Sequence, residues 1–165
     1  MLEKRLHLYL KLLCLCAVIT LISGGVITQF FDAEPCVLCV IQRDIWLLIF
    51  LWSAFSFTQF LRNKIHFIMI VTLLLTFISF GAALYHMGIE YGLWDLPEYL
   101  CSVKEIDLDL LLDPNAPIKP IQPCKKPFML FNTISLATIN TGLSGILFLY
   151  GGLTYLRCRK ENKGK

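Results

Sequence analysis

Four stretches of the chain contain no Asp, Glu, Lys or Arg: Leu12–Phe31, Ile45–Leu61, Ile65–Ile89 and Pro127–Leu156. Each reaches or approaches the roughly 20 residues that an α-helix needs to cross about 30 Å of hydrocarbon. Core helices of soluble proteins are rarely so long without a charge. The pattern therefore predicts an all-α membrane protein, a bundle of four transmembrane helices over about 10–31, 41–61, 65–88 and 128–156, in a single integral-membrane domain spanning 1–165. The first run exceeds the about 7–15 apolar residues of a signal peptide, and Gly24-Gly25 is a poor match to a small-residue cleavage site, so it reads as a retained helix.

Composition agrees and excludes a water-soluble fold. Of the 165 residues, 56% are hydrophobic and 16% charged, and the mean hydropathy is +0.66. Charge then orients the bundle, because cytoplasmic flanks retain Lys and Arg. Ten of the fifteen basic residues (Lys4, Arg5, Lys11, Arg62, Lys64, Arg157, Arg159, Lys160, Lys163 and Lys165) fall on one side, and ten of the twelve acids fall on the other. Both termini are expected in the cytoplasm, with outward loops at about 32–40 and 89–126. The net charge of +3 reflects this orientation in a lipid bilayer and implies no nucleic-acid partner. Pro114, Pro117, Pro120, Pro123 and Pro127 make the end of the second loop extended. Before them, Ile106–Asp113 mixes acids with leucines and fits either an amphipathic segment on the membrane surface or a strand-like loop.

Orientation sorts the seven cysteines. Cys14, Cys16 and Cys158 belong to the cytoplasmic side and read as reduced, packing thiols. Cys36, Cys39, Cys101 and Cys124 face outward, where disulfides persist. The first pair is a Cys-x-x-Cys. Pro35 suits the first turn of a helix, which puts Cys36 at the amino end, where unpaired N–H groups and the helix dipole favour thiolate. A two-residue spacer gives little entropic preference for ring closure, so the pair can open and close. Arg43 lies four residues after Cys39, on the same helical face one turn deeper. A permanent cation at the edge of hydrocarbon is costly and reads as functional, although an Arg snorkelling to loop acids or lipid phosphate is the plainer alternative. Trp46 suits an interfacial anchor better than a pocket wall.

Pro35-Cys-Val-Leu-Cys-Val-Ile-Gln-Arg43 resembles the signature of the disulfide bond formation protein B (DsbB) family. The resemblance continues through His86, through Cys101 and Cys124, and through the segment Pro127–Asn140, with Phe128 and Asn132 where relatives often carry Trp and Gly. It implies a four-helix enzyme of the bacterial inner membrane that reoxidises a periplasmic thioredoxin-fold thiol oxidase (DsbA-like) and passes electrons to membrane quinone, ubiquinone or menaquinone, without a metal. By the same resemblance, Cys101 meets the soluble partner, Cys124 bridges to Cys36, Cys39 engages the quinone with Arg43 supporting its charge, and His86 lies close to the quinone. As a lone His at a helix end, His86 equally suits an interfacial hydrogen-bonding role. The 22 residues between Cys101 and Cys124 allow the loop to travel between partner and membrane.

Three other readings fit less of the chain. A zinc site built from the four outward cysteines would span the 61-residue gap between Cys39 and Cys101 without a second Cys-x-x-Cys. Enzymes like vitamin K epoxide reductase need a redox pair on a later helix, and the last span has no cysteine before Cys158. The alternative outside enzymology is a four-span scaffold stapled by two disulfides, which has no use for Arg43.

Overall fold

The computed structural model describes residues 2–30, 35–57, 64–95, 129–130 and 134–163. Cys101, Cys124, Asp32, Glu34, the Ile106–Asp113 segment and the proline-rich stretch up to Pro127 lie outside the described residues, as does the side chain of Cys158.

Four helices make the bundle: α1 (Leu2–Phe30), α2 (Val37–Ser56), α3 (Ile65–Glu90) and α4 (Leu136–Lys163). All four are long and apolar enough to cross a membrane, over Arg5–Phe30, Val37–Ser56, Ile65–Glu90 and Leu136–Arg157. The helices pack in a ring, with the largest interfaces between α3 and α4, α1 and α2, and α2 and α3. Large apolar side chains cover the outside, among them Ile19 and Ile22 on α1, Leu51 on α2, Leu74 on α3 and Leu149 on α4. That inversion of a soluble protein suits a lipid solvent.

The helix boundaries differ from the expected spans in three of the helices, each with a local cause. α1 starts at Leu2 rather than near 10, because Leu6, Tyr9 and Leu10 continue its buried face. α2 starts at Val37 rather than 41 and closes at Ser56 rather than 61, where the Phe57 N–H turns back to the Ala54 carbonyl. Its N-cap is Cys36, with extended backbone, so Pro35 precedes the helix instead of entering its first turn. α4 starts at Leu136 rather than 128. Ahead of it, β1 (Met129–Leu130) and β2 (Ile134–Ser135) form a short antiparallel hairpin pairing Met129 with Ser135 and Leu130 with Ile134. Ser135 ends the hairpin and caps α4, its Oγ accepting the Thr138 N–H at 3.1 Å. This hairpin is the one β feature among the described residues of an otherwise helical fold.

The interior has two characters. Toward the chain termini, Leu6, Leu10, Ile68 and Met69 form an apolar cluster. A second cluster, Tyr9, Leu13, Ala17, Trp46, Ile49 and Leu147, joins α1, α2 and α4 at mid-bundle. Tyr9 donates to the Leu147 carbonyl at 3.0 Å, and its ring lies over Gly151, where a Cβ would overlap it. Hydroxyls link neighbouring helices: Trp52 Nε1 donates to Thr72 Oγ1 at 3.0 Å, and Ser79 and Ser144 are 3.1 Å apart. Such side-chain bonds are the adhesive of a bundle whose lipid surroundings supply no hydrophobic drive between helices.

Candidate functional site

At the end of the bundle remote from the termini, the Cys36 and Cys39 sulfurs lie 3.1 Å apart. The extended backbone at Cys36 turns its side chain over the first turn of α2, and Sγ accepts the Cys39 N–H at 3.3 Å. The sulfur thus occupies the position of a capping oxygen and faces the positive end of the helix dipole. Cys36 is buried among Leu38 and Ile89, while Cys39 is half-buried beside it.

α3 brings His86 to this pair. His86 is 3% exposed, so it faces the interior of the bundle. Nε2 lies 3.5 Å from Cys36 Sγ and 3.6 Å from Glu90 Oε1, one turn further along α3. Nδ1 lies 3.0 Å from Gln42 Nε2. Glu90 is tied to α4 through Ser135, whose hydroxyl donates to Oε2 at 2.5 Å. The cap of α4 and the end of α3 therefore hold the His86 carboxylate partner together.

Trp46 is buried, which overturns its reading as an interfacial anchor. Its indole N–H donates to Asn140 Oδ1 at 2.8 Å, and Asn140 Nδ2 donates to Gln42 Oε1 at 2.5 Å. A cavity of about 280 Å³ opens beside this chain of bonds. Cys39, Gln42, Arg43, His86 and Asn140 supply its polar wall, and Ile19, Ile27, Leu136 and Leu143 are among its apolar residues. Arg43 is exposed, with its side chain on the cavity wall one turn beyond Cys39.

Of the six residues singled out by sequence, the structure thus sets Cys39, Arg43 and His86 on one cavity with Cys36 buried behind Cys39 and His86, while Cys101 and Cys124 lie outside the described residues. Three polar residues of the site, Gln42, Asn140 and Glu90, were not singled out. Gln42 carries a usable signal, because it lies three residues after Cys39 and four before Trp46, on the face they share. Glu90 follows His86 at the same helical spacing of four.

The two cysteine sulfurs and His86 Nε2 all lie within 4.8 Å of one another, a spacing at which they could hold a soft cation. A histidine that ligates through Nε2 carries its proton on Nδ1 and gives it to an acceptor. Here an amide N–H points at Nδ1 instead. That orientation opposes ligation of a cation through Nε2. Cys14 and Cys16 are half-buried in α1, far along the chain from this site.

A family model described as disulfide bond formation protein DsbB matches residues 5–154. No curated protein and no solved structure matches the chain.

Proposed function

The chain belongs to the disulfide bond formation protein DsbB family, and on that premise we propose that it oxidises a periplasmic thioredoxin-fold dithiol oxidase of the DsbA type and hands the electrons to quinone in the bacterial inner membrane. Family membership makes it a multi-pass membrane thiol–disulfide oxidoreductase that serves disulfide bond formation. The observation carrying the finer reading is the cavity itself: Cys39, Arg43 and His86 share one wall with long apolar side chains from α1 and α4. A mostly apolar pocket with a few convergent polar groups is the form expected of a site for a lipid-soluble ring with polar oxygens.

A quinone bound there supplies an electron sink that takes two electrons and two protons. The residues of the chain do the rest. Cys39, on the cavity wall, is the thiol presented to the acceptor, and Arg43 one turn away offers directed donors for developing negative charge. Cys36, held by the Cys39 N–H and facing His86, is the inner sulfur that closes the disulfide. Closing the Cys36–Cys39 bond releases two electrons and two protons per pair. On the family pattern Cys101 and Cys124 deliver electrons from the partner, Cys101 by mixed disulfide and Cys124 by bridging to Cys36. The charge asymmetry supports an orientation with both termini in the cytoplasm and this site at the periplasmic face. Ubiquinone and menaquinone both fit the chemistry. A scaffold stapled by disulfides has no need of a dithiol set beside an imidazole and an Arg-lined cavity.

The test is a single turnover without oxygen. Prereduced protein mixed with a short-chain soluble quinone is expected to consume one quinone for each Cys36–Cys39 disulfide formed. A dithiol that stays reduced in excess quinone contradicts the proposal.

A further inference from the structure

The hydrogen bonds leading to His86 have a direction. An indole N–H only donates, so Trp46 Nε1, 2.8 Å from Asn140 Oδ1, fixes which side of the Asn140 amide is oxygen. The other side, Nδ2, then donates to Gln42 Oε1. Gln42 is left with Nε2 as its free end, 3.0 Å from His86 Nδ1 and 3.4 Å from the Ala82 carbonyl. A backbone carbonyl only accepts, so Ala82 independently requires that end of Gln42 to be the donor. Two anchors on different helices, one donor-only and one acceptor-only, agree on the polarity.

We infer that Trp46, Asn140 and Gln42 form a one-way relay that holds neutral His86 with its proton on Nε2, aimed at the sulfur of Cys36. Nδ1 is occupied as an acceptor, so the ring N–H is on the nitrogen that faces Cys36 Sγ at 3.5 Å and Glu90 Oε1 at 3.6 Å. Cys36 Sγ then has two N–H groups in reach, this one and that of Cys39. Both favour the thiolate, the form in which Cys36 leaves when its bridge to Cys124 is broken and attacks when the bond to Cys39 closes. The opposite tautomer would turn a nitrogen lone pair toward the sulfur and repel that charge. Asn140 and Gln42 are positioning residues, acting through His86. Their effect on rate rests on the dithiol chemistry proposed above, whereas the tautomer does not.

Nitrogen-15 NMR of the full chain labelled at histidine reads the tautomer directly, with His86→Gln identifying the His86 signals against those of His7 and His66. The parent is expected to show a protonated Nε2 and an unprotonated Nδ1. In Gln42→Glu the carboxylate accepts from Nδ1, so the tautomer reverses, and exchange at Cys36 slows by about ten-fold through loss of one charge-assisted donor. In Asn140→Asp the carboxylate cannot donate to Gln42 Oε1. A charge-assisted bond from Gln42 Nε2 to the new carboxylate outweighs the long 3.4 Å contact with the Ala82 carbonyl, so the Gln42 amide turns over and the tautomer reverses from two residues away, which mere packing would not do. Should one variant fail to fold, the other decides. A parent with its proton on Nδ1, or folded variants that keep the parent tautomer, would overturn the relay. A reversed tautomer with unchanged exchange at Cys36 would overturn the positioning role. A parent that fails to reduce quinone removes the proposed acceptor and leaves the NMR result to judge the relay on its own.

Discussion

The two ends of the bundle are built on opposite principles. Near the termini, Leu6, Leu10, Ile68 and Met69 meet as an apolar cluster with Ile65 and Tyr155 packed against it. At the cysteine end, Cys36, Gln42, His86, Glu90, Ser135 and Asn140 connect α2, α3 and α4 through side-chain hydrogen bonds. Apolar packing tolerates adjustment, since a displaced methyl group still finds neighbours. A directional polar network does not, because a buried donor without an acceptor costs about 1–3 kcal/mol. The contrast teaches where this molecule spends precision: stability is spread along the helices, and geometry is concentrated where the sulfurs are.

The largest effect should come from the cysteine end. Cys39→Ser removes the thiol on the cavity wall, and quinone reduction is expected to fall to background while thermal stability in detergent stays near that of the parent. A Cys39→Ser protein that still reduces quinone would place the reactive sulfur elsewhere. The converse substitution lies at the other end. Leu10→Ala empties space in the terminal cluster and should cost about 2–5 kcal/mol of stability, with Cys36 and Cys39 still oxidised by quinone at the parental rate below the melting temperature. Lost chemistry in a folded Leu10→Ala protein would show that the two ends are coupled.

Arg43 gives an intermediate effect and separates anchoring from chemistry. An Arg that merely snorkels is replaceable by Lys. One that directs a planar set of donors into the cavity is not. Losing one charge-assisted contact of roughly 1.5–3 kcal/mol slows the reaction about ten- to a hundred-fold. Arg43→Lys should be impaired at limiting quinone and Arg43→Ala more so, while both keep thiol exchange with the partner. Quinone titrations of the parent and the Ala variant that superimpose would remove Arg43 from the site. Smallest of all should be the effect of replacing Cys14, Cys16 and Cys158 together with Ser. Turnover is expected within a few-fold of the parent, and a collapse of activity with the fold intact would reveal a third functional thiol.

How much of this is legible in the chain divides along the same line. The four spans follow from runs without charge, because crossing hydrocarbon is a property of composition and length. Their ends do not follow. α4 begins late because Ser135 both closes a hairpin and caps the helix, and α1 begins early because Leu6 and Tyr9 find partners on other helices. At the site, Cys36, Cys39 and Arg43 declare themselves by residue type and spacing, and His86 only through the family resemblance. Gln42 gives a spacing signal only, and Asn140 none, since an amide in a span acquires its meaning when folding joins these two positions, 98 apart in sequence. Trp46 reads as an interfacial anchor in the sequence for the same reason: its partner, Asn140, lies on a different helix, 94 positions away.

The central claim is that electrons pass from a soluble dithiol through these cysteines into quinone, and one coupled assay tests it. Purified protein is mixed with a reduced thioredoxin-fold oxidase and a soluble quinone analogue, and quinone absorbance is followed beside the free thiols of the oxidase. The account predicts that quinone disappears one for one with dithiol, and that Cys39→Ser or Cys101→Ser stops the reaction. Oxidation of the partner without quinone loss, or quinone loss that survives either substitution, would contradict it.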